Sequence, residues 1–493
     1  MNEKIVIGIT FGVYLLVMLG IGWYFYNRTK NLSDYTLGGR KLGTWGTAIS
    51  AQASDMSGWL LLGLPGAAYA TGLSGSIWMA LGLALGTYLN WKIVAQRLRI
   101  ATVEYNDSIT IPSYLENRFN DTSKILRIAS SLFILLFFLV YTASGFVSGG
   151  KLFETVFGIP YVVSLIIGIL VVVTYTFLGG FMAVCWTDII QGLLMFFTLL
   201  VLPAIIVFKG NNFSDVVSAI DPELLNPFNV EYITGSASGT TTLAVIGIIS
   251  SLAWGLGYFG QPHILARFMA IENPDEINKS RKIAIIWVLL SLAGATSVGL
   301  VAHYVFPDLV LEGANTERIF MLLVDKTVPL VLTGVLLSAI LAAIMSTADS
   351  QLLVTASTIS EDFYKALFKK NASDKELMLI SRGTVLIVAL IAFVIALNPN
   401  NSVLGLVSYA WAGFGATFGP VILLSLFYKN MNRNGAAAGM IVGGLTSALW
   451  PLLGKHWPNV EIFKFYEIIP GFILALIAIF LVSKITNKSK ITK

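Results

Sequence analysis

The chain has 493 residues, of which 56% are hydrophobic and only 12% charged, whereas soluble domains run at about 45–50% and about 25%. Those figures, with a mean hydropathy of +0.78, exclude a soluble fold, a nucleic-acid-binding surface, a secreted enzyme and a disordered chain. The lone Cys185 rules out a disulfide framework or cysteine-rich metal site, and the net charge of +5 reads as membrane topology.

A helix needs roughly 20 apolar residues to cross about 30 Å of hydrocarbon. In chain order, stretches that satisfy this fall at 5–26, 45–72, 76–96, 125–150, 159–179, 183–208, 241–266, 283–306, 328–353, 380–397, 403–427, 435–454 and 465–483. Thirteen crossings are therefore expected. Their continuity excludes a β-barrel, whose strands alternate over about 10 residues. The first stretch exceeds the roughly 7–15 residue core of a cleaved leader, and no small-residue cleavage site follows it. No connection exceeds about 30 residues, short of the roughly 50 a small domain needs, so a single transmembrane domain over 1–493 is expected.

Basic residues give the orientation. With the N-terminus outside and the C-terminus inside, the 32 Lys and Arg collect in the cytoplasmic connections and tail, leaving Lys4, Lys151, Lys209, Arg318, Lys326, Lys455 and Lys464 on the other face. The outer connection from about 209 to 240 is acidic instead, with Asp215, Asp221, Glu223 and Glu231.

Of 27 carboxylates, only Asp55, Asp188 and Asp349 fall within spans, and no Lys or Arg is central to one. Each acid costs about 2.5–3.5 kcal/mol at the helix centre, so each needs compensation, and acids without basic partners suggest cations. The bland alternative is a carboxylate that caps a broken helix. Asp55 lies in Ser50-Ala51-Gln52-Ala53-Ser54-Asp55-Met56-Ser57-Gly58-Trp59, followed by Gly63, Pro65 and Gly66. Such a run predicts unwinding at mid-depth, which frees carbonyl oxygens for an ion. Packing of small residues is the other reading.

The seventh span carries Trp254-Gly255-Leu256-Gly257-Tyr258-Phe259-Gly260-Gln261-Pro262-His263. Its G-x-G-x-x-G spacing is no nucleotide fingerprint, because no strand precedes it. It predicts a second interrupted helix with Trp254, Tyr258 and Pro262 on one face, and with His263 and Arg267 at the cytoplasmic interface. In the ninth span, Ser338, Ala339, Ala342, Ala343, Ser346, Thr347 and Ser350 draw one stripe of small side chains. Close packing needs only Ala and Gly there; the hydroxyls, with Asp349 beside them, add oxygen ligands suited to a hard cation. Five crossings separate the starts of the two interrupted helices, so they run in opposite senses, as in an inverted repeat with its site at mid-membrane.

On these residues the chain resembles the sodium/solute symporter family, and within it the bacterial proline carriers. The match rests on Asp34-Tyr35 with Leu37-Gly38-Gly39-Arg40, Ala53 to Trp59, and Gly179-Gly180-Phe181 with Trp186-Thr187-Asp188. It continues through Trp254 to His263, Ser338 to Ala343 with Met345-Ser346-Thr347, and Leu406 to Gly413. The resemblance implies an all-α polytopic membrane protein of LeuT type. An extra helix at 5–26 would precede inverted five-helix repeats at 45–208 and 241–427, with two further helices at 435–483.

It also implies sodium-coupled import of L-proline by alternating access across the bacterial cytoplasmic membrane. Sodium would be the coupling ion, with no cofactor, no catalytic residues, no nucleic acid and no obligatory protein partner. The implied sodium ligands are Ala53, Met56, Ala343, Ser346 and Thr347, assisted by Asp55. The implied substrate residues are Ser57, Trp59, Gly63, Tyr141, Trp254, Tyr258 and Pro262. Asp349 departs from the small hydroxyl residue expected in proline carriers, and with Asp188, Ser346 and Ser350 it could form a second sodium site. Another solute of the same family, such as pantothenate, a sugar or another amino acid, is the alternative. A channel lacks a repeated filter or charged ring here, and three scattered histidines argue against an intramembrane enzyme.

Overall fold

Uncharged runs of Leu, Ile, Val and Ala leave the backbone no hydrogen-bond partner in lipid except itself, so each folds as a helix. The computed structural model describes residues 3–26, 28, 32–178, 180–209, 213–236 and 239–491; Gly179, one of the matched residues, lies outside them. The first half comprises α1 (Glu3–Tyr26), α2 (Thr44–Asp55), α3 (Leu64–Leu89), α4 (Ile125–Phe157), α5 (Tyr161–Leu178) and α6 (Phe181–Lys209). The second comprises α7 (Thr241–Leu252), α8 (Pro262–Ala270), α9 (Ile277–Val305), α10 (Leu330–Ser357), α11 (Asp374–Ala396), α12 (Val403–Phe427), α13 (Arg433–His456) and α14 (Ile468–Ile491). Among the described residues no strand forms; one isolated bridge joins Leu42 to Ile271.

Among the described residues, eleven helical runs are long and apolar enough to cross a membrane, and two local features separate that number from the thirteen predicted. The run Trp59–Glu104 is continuous over 46 residues. Gly72 nevertheless turns out of the helix within it, at φ 61° and ψ −147°, at the predicted boundary between 45–72 and 76–96. Only glycine adopts that conformation readily, and a Cβ on it would lie 2.0 Å from the Leu224 carbonyl oxygen. The second feature is α5, an 18-residue apolar helix over Tyr161–Leu178 of which the fully described part ends at Thr174.

Helix α10 also outruns its predicted end at 353, continuing through wide π-type turns over Thr358–Phe368. That extension buries another acid, Asp362, which accepts from Thr110 Oγ1 at 2.9 Å and faces Arg127 Nε at 3.4 Å. The charged residues from Glu361 onward end the apolar pattern but not the helix.

The striped face of α10 is buried and packs on α1, α2, α4 and α6. Helix α3 packs on α9, and α12 packs on α4 and on the segment Ala253–Gly260. Where that segment crosses α3 the two backbones touch, since a Cβ on Gly86 would meet Gly255 O at 2.2 Å. Small residues permit such close approach.

Candidate cation and solute site

Both predicted interruptions are present. Helix α2 ends at Asp55, Met56 leaves the helical region at φ −86° and ψ 83°, and helical turns resume at Gly58. The second break is a run of tight turns over Ala253–Gly260, after which Gln261 is extended and Pro262 opens α8. Proline has no N–H to leave unpaired in a first turn, so it suits that position.

The first break faces α10. Ser346 Oγ donates to the Ala53 carbonyl at 2.8 Å and to the Ala343 carbonyl at 3.3 Å, and Thr347 Oγ1 donates to Ala53 O at 3.4 Å. Two carbonyls and two hydroxyls, from segments 293 residues apart, thus converge as a neutral oxygen cluster of the kind a hard monovalent cation accepts. Met56 sits at the break, fully buried, with its N–H on Gln52 O at 2.9 Å.

Asp55 joins three elements. Its Oδ2 accepts from Tyr258 Oη at 2.6 Å, and its backbone carbonyl accepts from Tyr141 Oη at 3.0 Å and Trp59 Nε1 at 3.1 Å. The first broken helix is thereby tied to the second and to α4. Among the described residues, Asp55 Oδ1 is buried without a hydrogen-bond partner, which leaves one oxygen of a fully buried acid free to face a cation.

Aromatic rings stand beside this cluster. The centroids of Trp59 and Trp254 lie 6.4 Å apart, Trp254 stacks on Trp411 at 6.4 Å and on Tyr466 at 5.5 Å, and Tyr258 meets Trp411 edge-on at 5.0 Å. Trp411 Nε1 donates to the Trp254 carbonyl at 2.7 Å, which holds the wall to the second break. Ser57 lies at the first break, its Oγ 3.5 Å from the Trp59 N–H. A Cβ on Gly63 would lie 3.1 Å from Leu404 and 3.5 Å from the Trp59 side chain, whereas Pro262 lines a cavity with Thr36, Ala266, Met269 and Ser357.

A basic residue does enter the bundle, contrary to the interfacial position expected of Arg267. It is fully buried, donating to Asp188 Oδ2 at 3.2 Å, Ser50 Oγ at 3.0 Å, Ser350 Oγ at 2.5 Å and the His263 carbonyl at 3.0 Å. Asp188 Oδ2 also accepts from Ser50 Oγ at 2.6 Å, whereas Asp349 accepts from Thr176 Oγ1. His263 is buried as well, edge-on to Phe138 at 5.7 Å and Tyr141 at 6.1 Å. The break at Gln261 redirects the chain, so counting along a straight helix misjudges both residues.

Lys151 likewise turns inward near the C-terminal end of α4. Its Nζ lies 2.5 Å from Glu317 Oε2, and Glu317 accepts from the N–H groups of Val403 and Leu404, both at 3.0 Å. This buried carboxylate satisfies donors at the start of α12, where the helix dipole favours an anion. Arg40, before α2, donates to Asp107 at 2.9 Å and to the Met269 carbonyl at 2.6 Å. Burial pulls its guanidinium below the ordinary arginine range, against the opposing pull of Asp107.

The family model for sodium:solute symporters matches residues 35–443. The chain belongs to that family. The sodium/proline symporter of Escherichia coli (strain K12) is 50% identical over 475 residues, 96% of this chain and 91% of that protein. The high-affinity proline transporter PutP of Bacillus subtilis (strain 168) is 50% identical over 476 residues, 95% of this chain and 96% of that one. The osmoregulated proline transporter OpuE of the same organism is 46% identical over 480 residues, covering 97% and 95%. Among solved structures, a substrate-bound, outward-open sodium-coupled sialic acid symporter superposes with a TM-score of 0.79 at 22% identity, over 97% of this chain and 98% of that one. A nucleobase-cation-symport-1 family transporter reaches 0.54 at 13% identity, over 91% and 94%. The all-helical architecture is therefore that of cation-coupled symporters, and the chain is a multi-pass membrane protein of a transporter family.

Proposed function

We propose that the chain imports L-proline together with sodium by alternating access. The observation that carries this is the oxygen cluster of Ala53, Ala343, Ser346 and Thr347, set against a broken helix and beside an aromatic wall. Near-full-length relatives at 46–50% identity that are named proline transporters support the solute.

Proline is a zwitterion with a compact apolar ring, so its site needs aromatic walls and unwound backbone dipoles but no net charge. Ser57, Trp59, Gly63, Tyr141, Trp254, Tyr258 and Pro262 form that site in this reading. Sodium is held by the Ala53, Met56 and Ala343 carbonyls and the Ser346 and Thr347 hydroxyls, with Asp55 supplying field. Binding ties the broken α2 to α10 and favours closure of the outer gate. Rocking of one helix group against the other then opens the site inward. With one sodium, the single charge moved per cycle contributes about 2.3 kcal/mol per 100 mV, or roughly a 50-fold concentration ratio before the sodium gradient is added.

The same reading takes the protein as a carrier rather than an enzyme, in a bacterial cytoplasmic membrane. It has thirteen crossings with the N-terminus outside, the C-terminus inside, and repeats at 45–208 and 241–427. The non-helical Gly72 and the 18-residue apolar helix α5 support that number. Purified protein in proteoliposomes should take up labelled proline only under an inward sodium gradient. Uptake indifferent to sodium refutes the coupling, and competition by pantothenate or a sugar stronger than by proline refutes the solute.

A further inference from the structure

We infer that Asn90 is a positioning residue for the solute and ion site: its amide holds the Tyr258 carbonyl and thereby sets the Tyr258 hydroxyl on Asp55. The inference rests on the sodium-coupled reading above and adds a residue outside the ligand set of that reading.

Helix α3 and the second break run side by side. A Cβ on Gly82 would lie 2.4 Å from Leu252 O, one on Gly86 would lie 2.2 Å from Gly255 O, and Asn90 Nδ2 donates to Tyr258 O at 2.9 Å. Steps of four along α3 thus meet steps of three along the break. Four residues of α-helix advance about 6 Å, and so do three residues of the tighter 3₁₀ turns over Ala253–Gly260, at about 2.0 Å each. The two backbones stay in register only while the break keeps that winding. Rewound as an α-helix, the stretch from Leu252 to Tyr258 would shorten by about 3 Å and draw its last carbonyl away from Asn90.

The sequence leaves that carbonyl in need of a donor. An α-helical bond to Tyr258 O would come from position 262, four residues on, and Pro262 has no N–H to give. Away from water an unpaired carbonyl is strongly destabilising. Asn90, 1% exposed, supplies the donor from a different helix, and of positions 82, 86 and 90 it alone has a side chain with which to do so. It also opens the wide π-type turns Asn90–Ala95, an irregularity frequent at functional positions in helices. From Tyr258 the path to the site is short. The hydroxyl donates to Asp55 Oδ2 at 2.6 Å and the ring meets Trp411 edge-on at 5.0 Å, so a shift of this backbone disturbs the acid at the first break and the aromatic wall together.

The test is uptake of labelled proline by the full-length protein in proteoliposomes at a clamped potential, with external sodium and proline varied in turn. Asn90→Leu keeps the volume and removes the donor. It is expected to raise the half-saturating sodium concentration roughly 2- to 12-fold, the worth of one neutral hydrogen bond, and to raise KM for proline with the maximal rate nearly kept. Added to Tyr258→Phe, which already lacks the hydroxyl on Asp55, it should change half-saturating sodium little further. A merely structural asparagine would lower the amount of protein or the maximal rate and leave half-saturating sodium where it was, and that result overturns the inference. So does an equal rise in the Tyr258→Phe background, or a Tyr258→Phe protein with wild-type sodium dependence, since the route from Asn90 to the ion runs through that hydroxyl. Should Asn90→Leu not reach the membrane, Asn90→Ala is read by the same criteria. A wild type without sodium-driven proline uptake overturns the transport reading and this inference with it, whereas the variant results, obtained with a wild type that shows such uptake, decide the role of Asn90 alone.

Discussion

Replacing Ser346 by alanine removes the hydroxyl nearest the Ala53 carbonyl, at 2.8 Å, and nearly nothing else, since the residue lies fully buried in a small-residue face. Hydrogen-bond-like contacts to a charged group are worth about 1.5–3 kcal/mol, so losing one ligand oxygen should raise the half-saturating sodium concentration roughly 10- to 150-fold. The neutral bonds to Ala53 and Ala343 contribute only about 0.5–1.5 kcal/mol each to folding, so thermal stability should change little by comparison. Thr347 sits farther from Ala53 O, at 3.4 Å, and Thr347→Ala should fall at the lower end of the range, with Thr347→Ser close to wild type. The assay is the initial rate of proline uptake into proteoliposomes against external sodium at a clamped potential. A Ser346→Ala protein with unchanged half-saturating sodium would show that this hydroxyl does not touch the ion.

Tyr258→Phe removes the 2.6 Å donor to Asp55; sodium affinity should change together with proline affinity, and an effect on proline alone would contradict the link between the two breaks. Lys151→Met strands Glu317 without its counter-ion and should cost about 3–5 kcal/mol, read as a lowered melting temperature in detergent and partly reversed in Lys151→Met/Glu317→Gln. A Cβ on Gly257 would fall 1.9 Å from Trp411 Nε1. Gly257→Ala should therefore push Trp411 off the Trp254 carbonyl, costing about 1–3 kcal/mol and weakening proline binding measured by competition.

Both breaks were legible because glycine and proline act locally: the runs around Met56 and Gln261 leave the helix through the same residues that mark them in sequence. The meeting of Ala53 with Ser346 was legible only through the family resemblance, because nothing in either segment names a partner 293 residues away. The burial of Arg267 was misjudged for a different reason. Its depth depends on the redirection of the chain at Gln261, whereas a count of residues from the last charged connection assumes a straight helix. Asp362 escaped because hydropathy falls at Glu361 although the backbone continues to turn. Trp411 lay within a matched run, but a tryptophan in a membrane helix has too many ordinary uses for its sequence position to assign it one.

The hydroxyls of Ser346 and Thr347 point at the same carbonyl with which they would share an ion. A hydroxyl keeps two lone pairs while it donates, but an ion seated between the hydroxyl and the carbonyl repels a proton on the line joining them, so each arriving cation must displace a bond already made. That competition caps the tightness of binding, since part of the ion's gain is spent on what it displaces. It also gives the departing ion a replacement, because the carbonyl it leaves regains a donor at once. A carrier facing a cytoplasm poor in sodium needs such an exit, and a deeper, purely coordinating cage would hold its passenger too long to turn over.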